Sequence, residues 1–392
     1  MGEAVVNEQK FIVFGSPLLG EEEIDSVTTT LRSAWIGTGP RVQEFEKEMR
    51  EYSGAPYSAA VASCTAALHL SMVVAGVGPG DEVITTALTF AATANSIIHA
   101  GAVPVLVDVE RDTMNIDPAA IEAAITPRTK AIIVVHFAGR PCDMDAITAI
   151  AAKHDLLVIE DAAHAIEAEY KGRRIGAISP LTCYSFYVTK NITTGEGGMI
   201  ASTRPDLIDK VKQYALHGLS ADAWSRFSDK GYKHYEVTFP GFKYNMTDLQ
   251  ASLGLVQLRK IETWLERRNE IWRLYDDAFA DLPCILPAPE QENTRHARHL
   301  YTIMVNTPNA PADRDTLIAR LRDRGIGTGV HYRGIHLHQY YRERFGLMPE
   351  DFPNASWISD RTLSLPLSAK LDDGDVERII TAVRSELGKE FS

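Results

Sequence analysis

Short apolar runs alternate with amphipathic stretches along most of the chain. The runs at 103–107, 131–135 and 156–159 are almost wholly aliphatic, as is typical of parallel strands that are buried on both faces. Residues 143–154, between the last two runs, have their apolar positions at helical spacing. This alternation, from about residue 21 to residue 255, predicts a mostly parallel sheet covered by helices on both faces.

The pattern changes after a long amphipathic helix that we predict over residues 246–268. Residues 301–305 then have the composition of a strand, and residues 313–325 and 375–387 have the spacing of helices. Strands and helices in this later part do not alternate regularly, which favours a separate α+β unit.

A chain of 392 residues is long enough for one large and one smaller domain. We expect a large α/β domain over residues 15–255 and a small C-terminal α+β domain over residues 256–392. Residues 1–14 are expected to pack as an extension of this body.

Composition and charge narrow the class of protein. A hydrophobic share of 45% and a charged share of 23% are those of a globular protein, and a net charge of −12 argues against general nucleic-acid binding. The four cysteines form no Cys-x-x-Cys pair and are expected to be reduced thiols. The N-terminus shows no signal peptide and the apolar runs are too short to cross a bilayer. These features predict a cytoplasmic protein that binds neither nucleic acid nor membranes.

A single lysine, Lys190, stands between a strand-like run and the glycine-rich residues 195–198. A lysine in such a position is partly desolvated, and desolvation disfavours its charged form. The neutral amine is a nucleophile that can form a Schiff base with a carbonyl group. The spacing of residues 195–198 does not match a dinucleotide-binding motif and instead predicts a hairpin turn beside the lysine. Because most lysines are ordinary surface residues, the hypothesis depends on what else lies near Lys190.

Asp161 and His164 follow the apolar run at 156–159, where a parallel strand would end. Ligands of open α/β sheets bind at such strand ends. Asp161 would pair with the protonated ring nitrogen of pyridoxal phosphate (PLP), which makes that ring an electron sink, or it would cap a helix. The position of Lys190, beyond the next apolar run, favours the cofactor. His164 fits a cofactor contact and a buried structural histidine equally well.

Two earlier segments fit the same cofactor less specifically. Residues 60–70 turn from a strand into a helix, and Ser63 or Thr65 would cap that helix at a terminus whose free amide groups also attract phosphate. Phe90 follows the strand-like residues 83–86 and would either stack on a flat ring or belong to the core.

Taken together and in this order, these segments resemble the DegT/StrS family of PLP-dependent nucleotide-sugar aminotransferases. The resemblance extends over nearly the whole chain, and its segments are SAWIGTGP at 33–40, SCTAAL at 63–68, EDAAH at 160–164, SFYVTKN at 185–191, KYNMTD at 243–248 and LSLPL at 363–367. Within the family, PGFKYN at 240–245 and GIGTGVHY at 325–332 are most similar to the branch that makes 4-amino sugars. This branch includes UDP-4-amino-4-deoxy-L-arabinose–oxoglutarate aminotransferase.

The resemblance implies a fold, a reaction and an assembly. The fold would be the fold-type-I architecture of PLP-dependent transferases, with a mostly parallel large domain and a smaller α+β domain. The reaction would move an amino group from L-glutamate to a UDP-linked 4-keto sugar by a ping-pong mechanism, releasing 2-oxoglutarate, in polysaccharide biosynthesis. The assembly would be a homodimer with shared active sites.

The resemblance also implies a role for individual residues. Lys190 would be the catalytic residue and would form the Schiff base with PLP. The other cofactor contacts would be Asp161 at the ring nitrogen, His164 near the ring hydroxyl, Phe90 stacked on the ring, Thr65, Ala66 and Ser185 at the phosphate, and Asn245 at the phosphate from the second subunit. Substrate contacts would come from His331, Lys243 and Trp35.

Other functions stay open at this point. The same chemistry would serve a 3-keto sugar or a cyclitol, and a non-catalytic PLP-binding regulator would keep the same cofactor residues. The 3-dehydratase branch of the family has His where Lys190 stands, so Lys190 argues against it. A zinc hydrolase would use His331, His336 and His338, but their spacing fits no zinc motif, and we expect no metal.

Overall fold

The computed structural model describes residues 10–219, 236–305 and 308–388. The first nine residues of the predicted N-terminal extension and the last four of the predicted small domain lie outside the described residues. The helices are α1 (Glu21–Arg32), α2 (Pro40–Ser53), α3 (Cys64–Val74), α4 (Ala91–His99), α5 (Pro118–Ala123), α6 (Met144–Lys153), α7 (Pro205–Ala215), α8 (Asp248–Phe279), α9 (Arg314–Asp323), α10 (Gln339–Phe345), α11 (Pro353–Ser359) and α12 (Asp373–Leu387). The strands are β1 (Tyr57–Val61), β2 (Glu82–Thr86), β3 (Val103–Val107), β4 (Thr129–Val135), β5 (Leu157–Asp161), β6 (Glu169–Tyr170), β7 (Arg173–Arg174), β8 (Leu181–Ser185), β9 (Gly198–Ser202), β10 (Cys284–Ile285), β11 (Thr294–Arg295), β12 (Tyr301–Val305) and β13 (Thr362–Leu365).

A mostly parallel sheet forms the centre of the molecule. Among the described residues it has seven strands in the order β1-β9-β8-β5-β4-β2-β3. The neighbouring pairs from β3 to β8 are parallel, and β9 is antiparallel to both of its neighbours. The α/β fold expected from the sequence is confirmed, and the edge at which β4, β5 and β8 end is where ligands of such sheets bind.

The central strands are apolar because both faces of the sheet are covered. In β5, Val158 belongs to an apolar cluster with α2 and α8, whereas Ile159 belongs to a cluster with α3 and α7 on the opposite face. Successive side chains of a strand point to opposite faces, so burial on both sides requires a continuous aliphatic run. The runs predicted at 103–107 and 131–135 are strands β3 and β4, and the helix predicted between 143 and 154 is α6.

A smaller unit follows at the C-terminal end. Strands β10, β12 and β13 form an antiparallel sheet that shares an apolar core with α9 and α12. Ile12 joins this core and pairs with Ile326. The predicted boundary between residues 255 and 256 falls inside α8, which contacts α1 and α2 in its first part and contributes Trp272 to the small core. None of the described helices is long and apolar enough to cross a bilayer.

Gly198 allows the sheet to approach the start of α3. A Cβ atom at Gly198 would lie 2.5 Å from the carbonyl carbon of Ser63 and 2.6 Å from the amide nitrogen of Cys64. Both distances are shorter than non-bonded contacts permit, and both involve backbone that cannot rotate away. The first residue of β9 therefore has to be glycine for α3 to begin where it does.

We predict that Gly198→Ala destabilises the fold by about 1–3 kcal/mol, as overpacking of a dense site commonly does. The measurement is urea unfolding of the purified protein. Gly78→Ala is the matched control, because a Cβ atom at Gly78 meets nothing within 4 Å, and we expect a change within roughly 0.5 kcal/mol. Equal stability of the Gly198 and Gly78 variants would contradict this explanation.

Candidate active site

Lys190 lies in the connection between β8 and β9. These strands pair antiparallel, with Ser185 opposite Gly198, so the hairpin predicted beside the lysine is present. The Lys190 amide donates to the Tyr187 carbonyl at 2.9 Å, and the side chain is half-buried. Within the described residues its Nζ atom has no hydrogen-bond partner. Burial lowers the pKa of Lys190, against the opposing effects of Cys64 and Asp161, and this favours the neutral amine.

Asp161 ends strand β5 as a buried carboxylate. Its Oδ2 atom accepts a hydrogen bond from Thr93 Oγ1 at 2.8 Å, and its Oδ1 atom accepts from the Ala163 amide at 3.2 Å. Turns rather than a helix follow Asp161, so the helix-cap alternative is not supported. Burial raises the pKa of Asp161, although these hydrogen bonds and the Lys190 charge oppose the shift. A cation placed against this carboxylate would offset the cost of burying it.

His164 lies beside Asp161 in a buried aromatic cluster. Its Nε2 atom is 3.1 Å from the Tyr332 hydroxyl, and its ring centroid is 4.4 Å from that of His299. Burial lowers the pKa of His164 well below its usual value, and the charges of Lys190 and the neighbouring histidines act in the same direction. The ring is therefore neutral near pH 7. Its Nδ1 atom is buried without a hydrogen-bond partner, so it could still bind a polar group of a ligand.

A buried polar network continues from His299 away from the sheet edge. His299 Nδ1 is 2.8 Å from Asn191 Oδ1, and Asn191 Nδ2 donates to Glu167 at 2.7 Å. Glu167 also accepts a hydrogen bond from Arg268 in a buried ion pair. Because Asn191 adjoins Lys190 in the chain, this network fixes the backbone on one side of the lysine.

The backbone around Gly139 holds His299 in place. The Ala297 amide donates to the Gly139 carbonyl at 2.9 Å, and the His299 amide donates to the Ala138 carbonyl at 3.0 Å. A Cβ atom at Gly139 would lie 2.8 Å from the carbonyl oxygen of His164, and the φ angle of Gly139 is +98°. Glycine is thus required for the segments carrying His164 and His299 to meet.

The start of α3 adjoins this edge of the sheet, as expected for a phosphate site. Ser63 is the N-cap, and its Oγ atom accepts from the Ala66 amide at 3.1 Å, so Ser63 rather than Thr65 caps the helix. The leading amide groups of a helix lack partners within the helix. Thr65 and Ala66 lie in this first turn, next to Gly198, which in turn pairs with Ser185.

Asn245 lies against the end of β1 in its own chain. It forms a bridge with Val61, and its Nδ2 atom donates to Thr38 Oγ1 at 2.6 Å. Its Oδ1 atom is buried without a partner. The assignment of Asn245 to a second subunit stays a prediction.

Of three further predicted ligand contacts, one lies in the aromatic cluster around His164 and two do not. Phe90 precedes α4 and is 63% exposed, with its ring 6.3 Å from that of Tyr332. Trp35 donates through Nε1 to the Thr38 carbonyl at 3.2 Å, and the exposed Lys243 forms a backbone bridge with Leu216. Phe90 therefore belongs to the cluster around His164, whereas the contacts of Trp35 and Lys243 lie in other segments.

The three histidines of the 331–338 loop point to different partners. His331 Nδ1 is 2.8 Å from Ser364 Oγ, and His336 Nε2 is 2.8 Å from Ser356 Oγ. His338 is exposed at the start of α10. Within residues 10–219, 236–305 and 308–388, no group of three or more His, Cys, Asp or Glu side chains is placed to hold a metal ion.

Several residues of the site have no local sequence signal. Thr93, His299 and Tyr332 each contact a predicted residue, yet they stand on α4, before β12 and in the histidine loop. Asn191 differs from these three residues, because its position next to Lys190 in the sequence could have indicated that it belongs to the site. The contact between His299 and Asn191 joins residues 108 positions apart, which no short motif reports.

Comparison with known proteins agrees with this geometry. The model of the DegT/DnrJ/EryC1/StrS aminotransferase family matches residues 17–384. The spore coat polysaccharide biosynthesis protein SpsC of Bacillus subtilis is 50% identical over 381 residues, covering 97% of this chain and 98% of that protein. The uncharacterized protein MJ1066 of Methanocaldococcus jannaschii is 48% identical over 368 residues, covering 94% and 95%.

Solved structures show the same fold. Spr1654 from Streptococcus pneumoniae, described as a sugar aminotransferase, superposes in its PMP form with a TM-score of 0.89 and 36% identity, covering 96% of this chain and 97% of that one. Its PLP form gives a TM-score of 0.88 at the same identity, covering 96% and 100%. The expected fold-type-I architecture and the PLP cofactor are confirmed.

We predict that His336 makes the fold sensitive to acid. This side chain is fully buried, and its burial lowers its pKa to about 4 despite the opposing charges of Asp108 and Asp351. The ordinary pKa of His is about 6.5. Below that pH the His336 ring binds a proton in the unfolded chain but stays neutral in the folded one. His336 therefore lowers stability progressively as the pH falls from about 6.5 to about 4.

The measurement is urea unfolding at several pH values between about 7 and about 5. His336→Gln keeps a polar group for Ser356 but cannot titrate, so its stability should decline less with acid than that of the wild type. Parallel declines for the wild type and His336→Gln would refute the prediction.

Proposed function

Because the chain belongs to the DegT/DnrJ/EryC1/StrS aminotransferase family, we propose that this PLP-dependent sugar aminotransferase aminates a UDP-linked 4-keto sugar with L-glutamate as donor. The observation that supports this best is that a half-buried amine, Lys190, and a buried carboxylate, Asp161, lie near enough at one edge of the sheet for each charge to affect the other. The net reaction converts L-glutamate and the keto sugar into 2-oxoglutarate and the amino sugar.

The residues of the site fit PLP on three observations. Phe90 exposes an apolar ring, as a stacking partner for a flat cofactor would. Asp161 is a buried carboxylate whose raised pKa would return toward its usual range beside a protonated ring nitrogen. The Nδ1 atom of His164 is buried without a partner, so it could bind a polar group of the cofactor. PLP supplies an electrophilic carbon and a ring that stabilises negative charge.

Lys190 would act twice. Its neutral amine would first hold the cofactor carbonyl carbon covalently. Once released by the amino donor, Nζ would serve as the general base that moves a proton at the reacting carbon. Its lowered pKa suits both roles, because a charged ammonium neither attacks a carbon nor accepts a proton.

Asp161 and His164 would orient the ring. Thr93 and the Ala163 amide hold the Asp161 carboxylate, so its charge stays aimed at one place. His164 would contact the ring hydroxyl through Nδ1, while Tyr332 holds its Nε2 atom. Both side chains are fixed by second contacts, which is what preorganisation of a charge-stabilising site requires.

The phosphate would lie at the start of α3. Thr65 and Ser185 would donate to it, in keeping with the preference of helix N-termini for anions. The Ala66 amide, which donates to Ser63 Oγ in the free protein, would have to share its N–H group between Ser63 and the phosphate. Asn245 would reach the phosphate of the partner subunit, so that two copies of the chain complete each site.

The sugar nucleotide would enter beside the histidine loop. His331 is held by Ser364 and lies against Phe14, so it is fixed where it would meet the sugar. Lys243 and Trp35 would contact the nucleotide portion. The choice of UDP and of a 4-keto group is supported by the resemblance of segments 240–245 and 325–332, and the same residues would also serve a 3-keto sugar or a cyclitol. A ping-pong order is proposed because Lys190 would serve donor and acceptor in turn.

We predict that L-glutamate alone bleaches the yellow band of the cofactor-loaded protein and that a UDP-linked 4-keto sugar restores it. Lys190→Ala should abolish both the band and amino transfer, because no amine remains to hold the cofactor or move the proton. Lys190→Arg is the matched variant, since it keeps a positive charge but provides no nucleophile, and it should be equally inactive. The measurement is the visible spectrum together with the detection of 2-oxoglutarate.

The outcomes separate the parts of the proposal. Amino transfer by either Lys190 variant at the wild-type rate would refute the role of Lys190. A band that glutamate leaves unchanged would show that the donor is wrong. Restoration only by a 3-keto sugar or a cyclitol would replace the proposed acceptor.

We predict that Asn245 completes the site of the partner subunit. Asn245→Ala should weaken PLP binding, and a mixed dimer of Asn245→Ala with Lys190→Ala should contain one intact site. The measurement is the activity of the mixed dimer, isolated from cells that express both chains with different tags. It should approach half of the wild-type activity, whereas activity no higher than that of either variant alone would place Asn245 in the site of its own chain.

A further inference from the structure

A cavity of about 440 Å³ lies on the side of Lys190 that carries Asn191 and His299. Its wall is formed by residues 15–18 before α1, by residues 189–191 and by residues 367–369 after β13. The buried middle of α8 closes it with Arg268. Part of this volume is open to solvent, and the enclosed space of about 40 Å³ has room for a carboxylate group rather than for a whole small molecule.

The charges at this cavity favour an anion. Within the described part of the chain no Asp or Glu lines it, whereas the Arg268 guanidinium does. Lys370 adds a second positive charge, because its Nζ atom donates to Ser16 Oγ of the wall at 2.7 Å. Glu167 behind the wall balances one of these charges.

Arg268 has hydrogen-bonding capacity that the protein leaves unused. The side chain is 3% exposed, and its Nη2 atom donates to Glu167 and to the Ala297 carbonyl. Its Nε atom is buried without a partner, and among the described residues Nη1 has no hydrogen bond. A buried guanidinium with unpaired N–H groups is costly, and a carboxylate is the group that best satisfies it.

We propose that this cavity binds a carboxylate of the amino donor, an α-amino dicarboxylic acid, with Arg268 as its hydrogen-bond donor. The inference rests on the proposed function. A donor that is anchored by one carboxylate at Arg268 would have its amino group directed toward Lys190, which lines the same cavity. The cavity would thereby select the donor, separately from the residues that recognise the sugar.

The test uses glutarate, a five-carbon dicarboxylate without an amino or a keto group, and isothermal titration calorimetry of the PLP-loaded enzyme. Arg268 is changed together with its partner, as Glu167→Gln/Arg268→Gln, so that no single charge is left buried. Glu167→Gln alone is the matched control, because it breaks the same ion pair but keeps the guanidinium. We expect the wild type and the control to bind glutarate, and the double variant to bind it at least about tenfold more weakly.

The same variants distinguish a binding role from a structural one. If the ion pair only stabilises the fold, both variants should lose glutarate affinity alike, and that result would overturn the proposal. Equal affinity in all three proteins would also overturn it, as would a wild type that binds no glutarate. If the double variant does not fold, Lys370→Glu at the exposed edge of the wall replaces it, and unchanged glutarate affinity in that variant would count against the proposal.

The two half-reactions separate this inference from the proposed function. In the double variant the bleaching of the cofactor band should require about tenfold more L-glutamate than in the Glu167→Gln control. Its restoration by the keto sugar, starting from the aminated cofactor, should proceed as in that control, which lacks the same ion pair. A wild type that binds glutarate but transfers no amino group would refute the proposed function and leave the carboxylate cavity standing. Amino transfer by a wild type that does not bind glutarate would refute the carboxylate cavity and leave the proposed function standing.

Discussion

The position of a half-buried amine, Lys190, close to a buried carboxylate, Asp161, at one edge of the sheet determines what the rest of the site has to supply. An isolated charge is unstable in a protein interior unless hydrogen bonds or another charge compensate it. Asp161 is compensated by Thr93 and the Ala163 amide, but its pKa is still raised, while that of Lys190 is lowered. Both shifts move the pair toward neutrality. Among the described residues neither group therefore has an ion-paired or covalent partner. A cofactor would provide both partners, because its protonated ring nitrogen would pair with Asp161 and its carbonyl carbon would react with Lys190.

The sequence predicted the strands and several single residues of the site better than the contacts between distant segments. The aliphatic run before Asp161 identified a buried strand, because a strand covered on both faces has to be continuous in its apolar residues. Lys190 by itself resembled an ordinary surface lysine, and only its position beyond Asp161 and the next apolar run distinguished it. Thr93, His299 and Tyr332 were not identifiable, since each reaches the site through the folding of a distant segment. The cap of α3 was left between Ser63 and Thr65, and only the backbone geometry decides for Ser63.

The histidines show that closeness in the sequence can also mislead. Three of them within eight residues suggested a metal site by composition, yet the loop directs His331 and His336 to serines on different elements. His164 and His299, far apart in the sequence, lie with their rings in contact. Because burial keeps both of these rings neutral, they can lie against each other beside Lys190 without adding positive charge there. Proximity along the chain was thus a poor guide to which histidines act together.

The pairing of Ile12 with Ile326 has a consequence for how the protein is made. The Ile12 amide donates to the Gly325 carbonyl, the Gly327 amide donates back to Ile12, and the Ile12 side chain belongs to the same core as α12. On the ribosome the strands of the large sheet, which end with β9, are complete long before these partners emerge. Ile12 can form its contacts only after residues 325–327 have been synthesised, because contacts between distant segments form only when both segments are present. Residues 15–18, which follow Ile12, form part of the wall of the cavity beside Lys190 together with residues 367–369, so this cavity is completed only after residues 367–369 have folded.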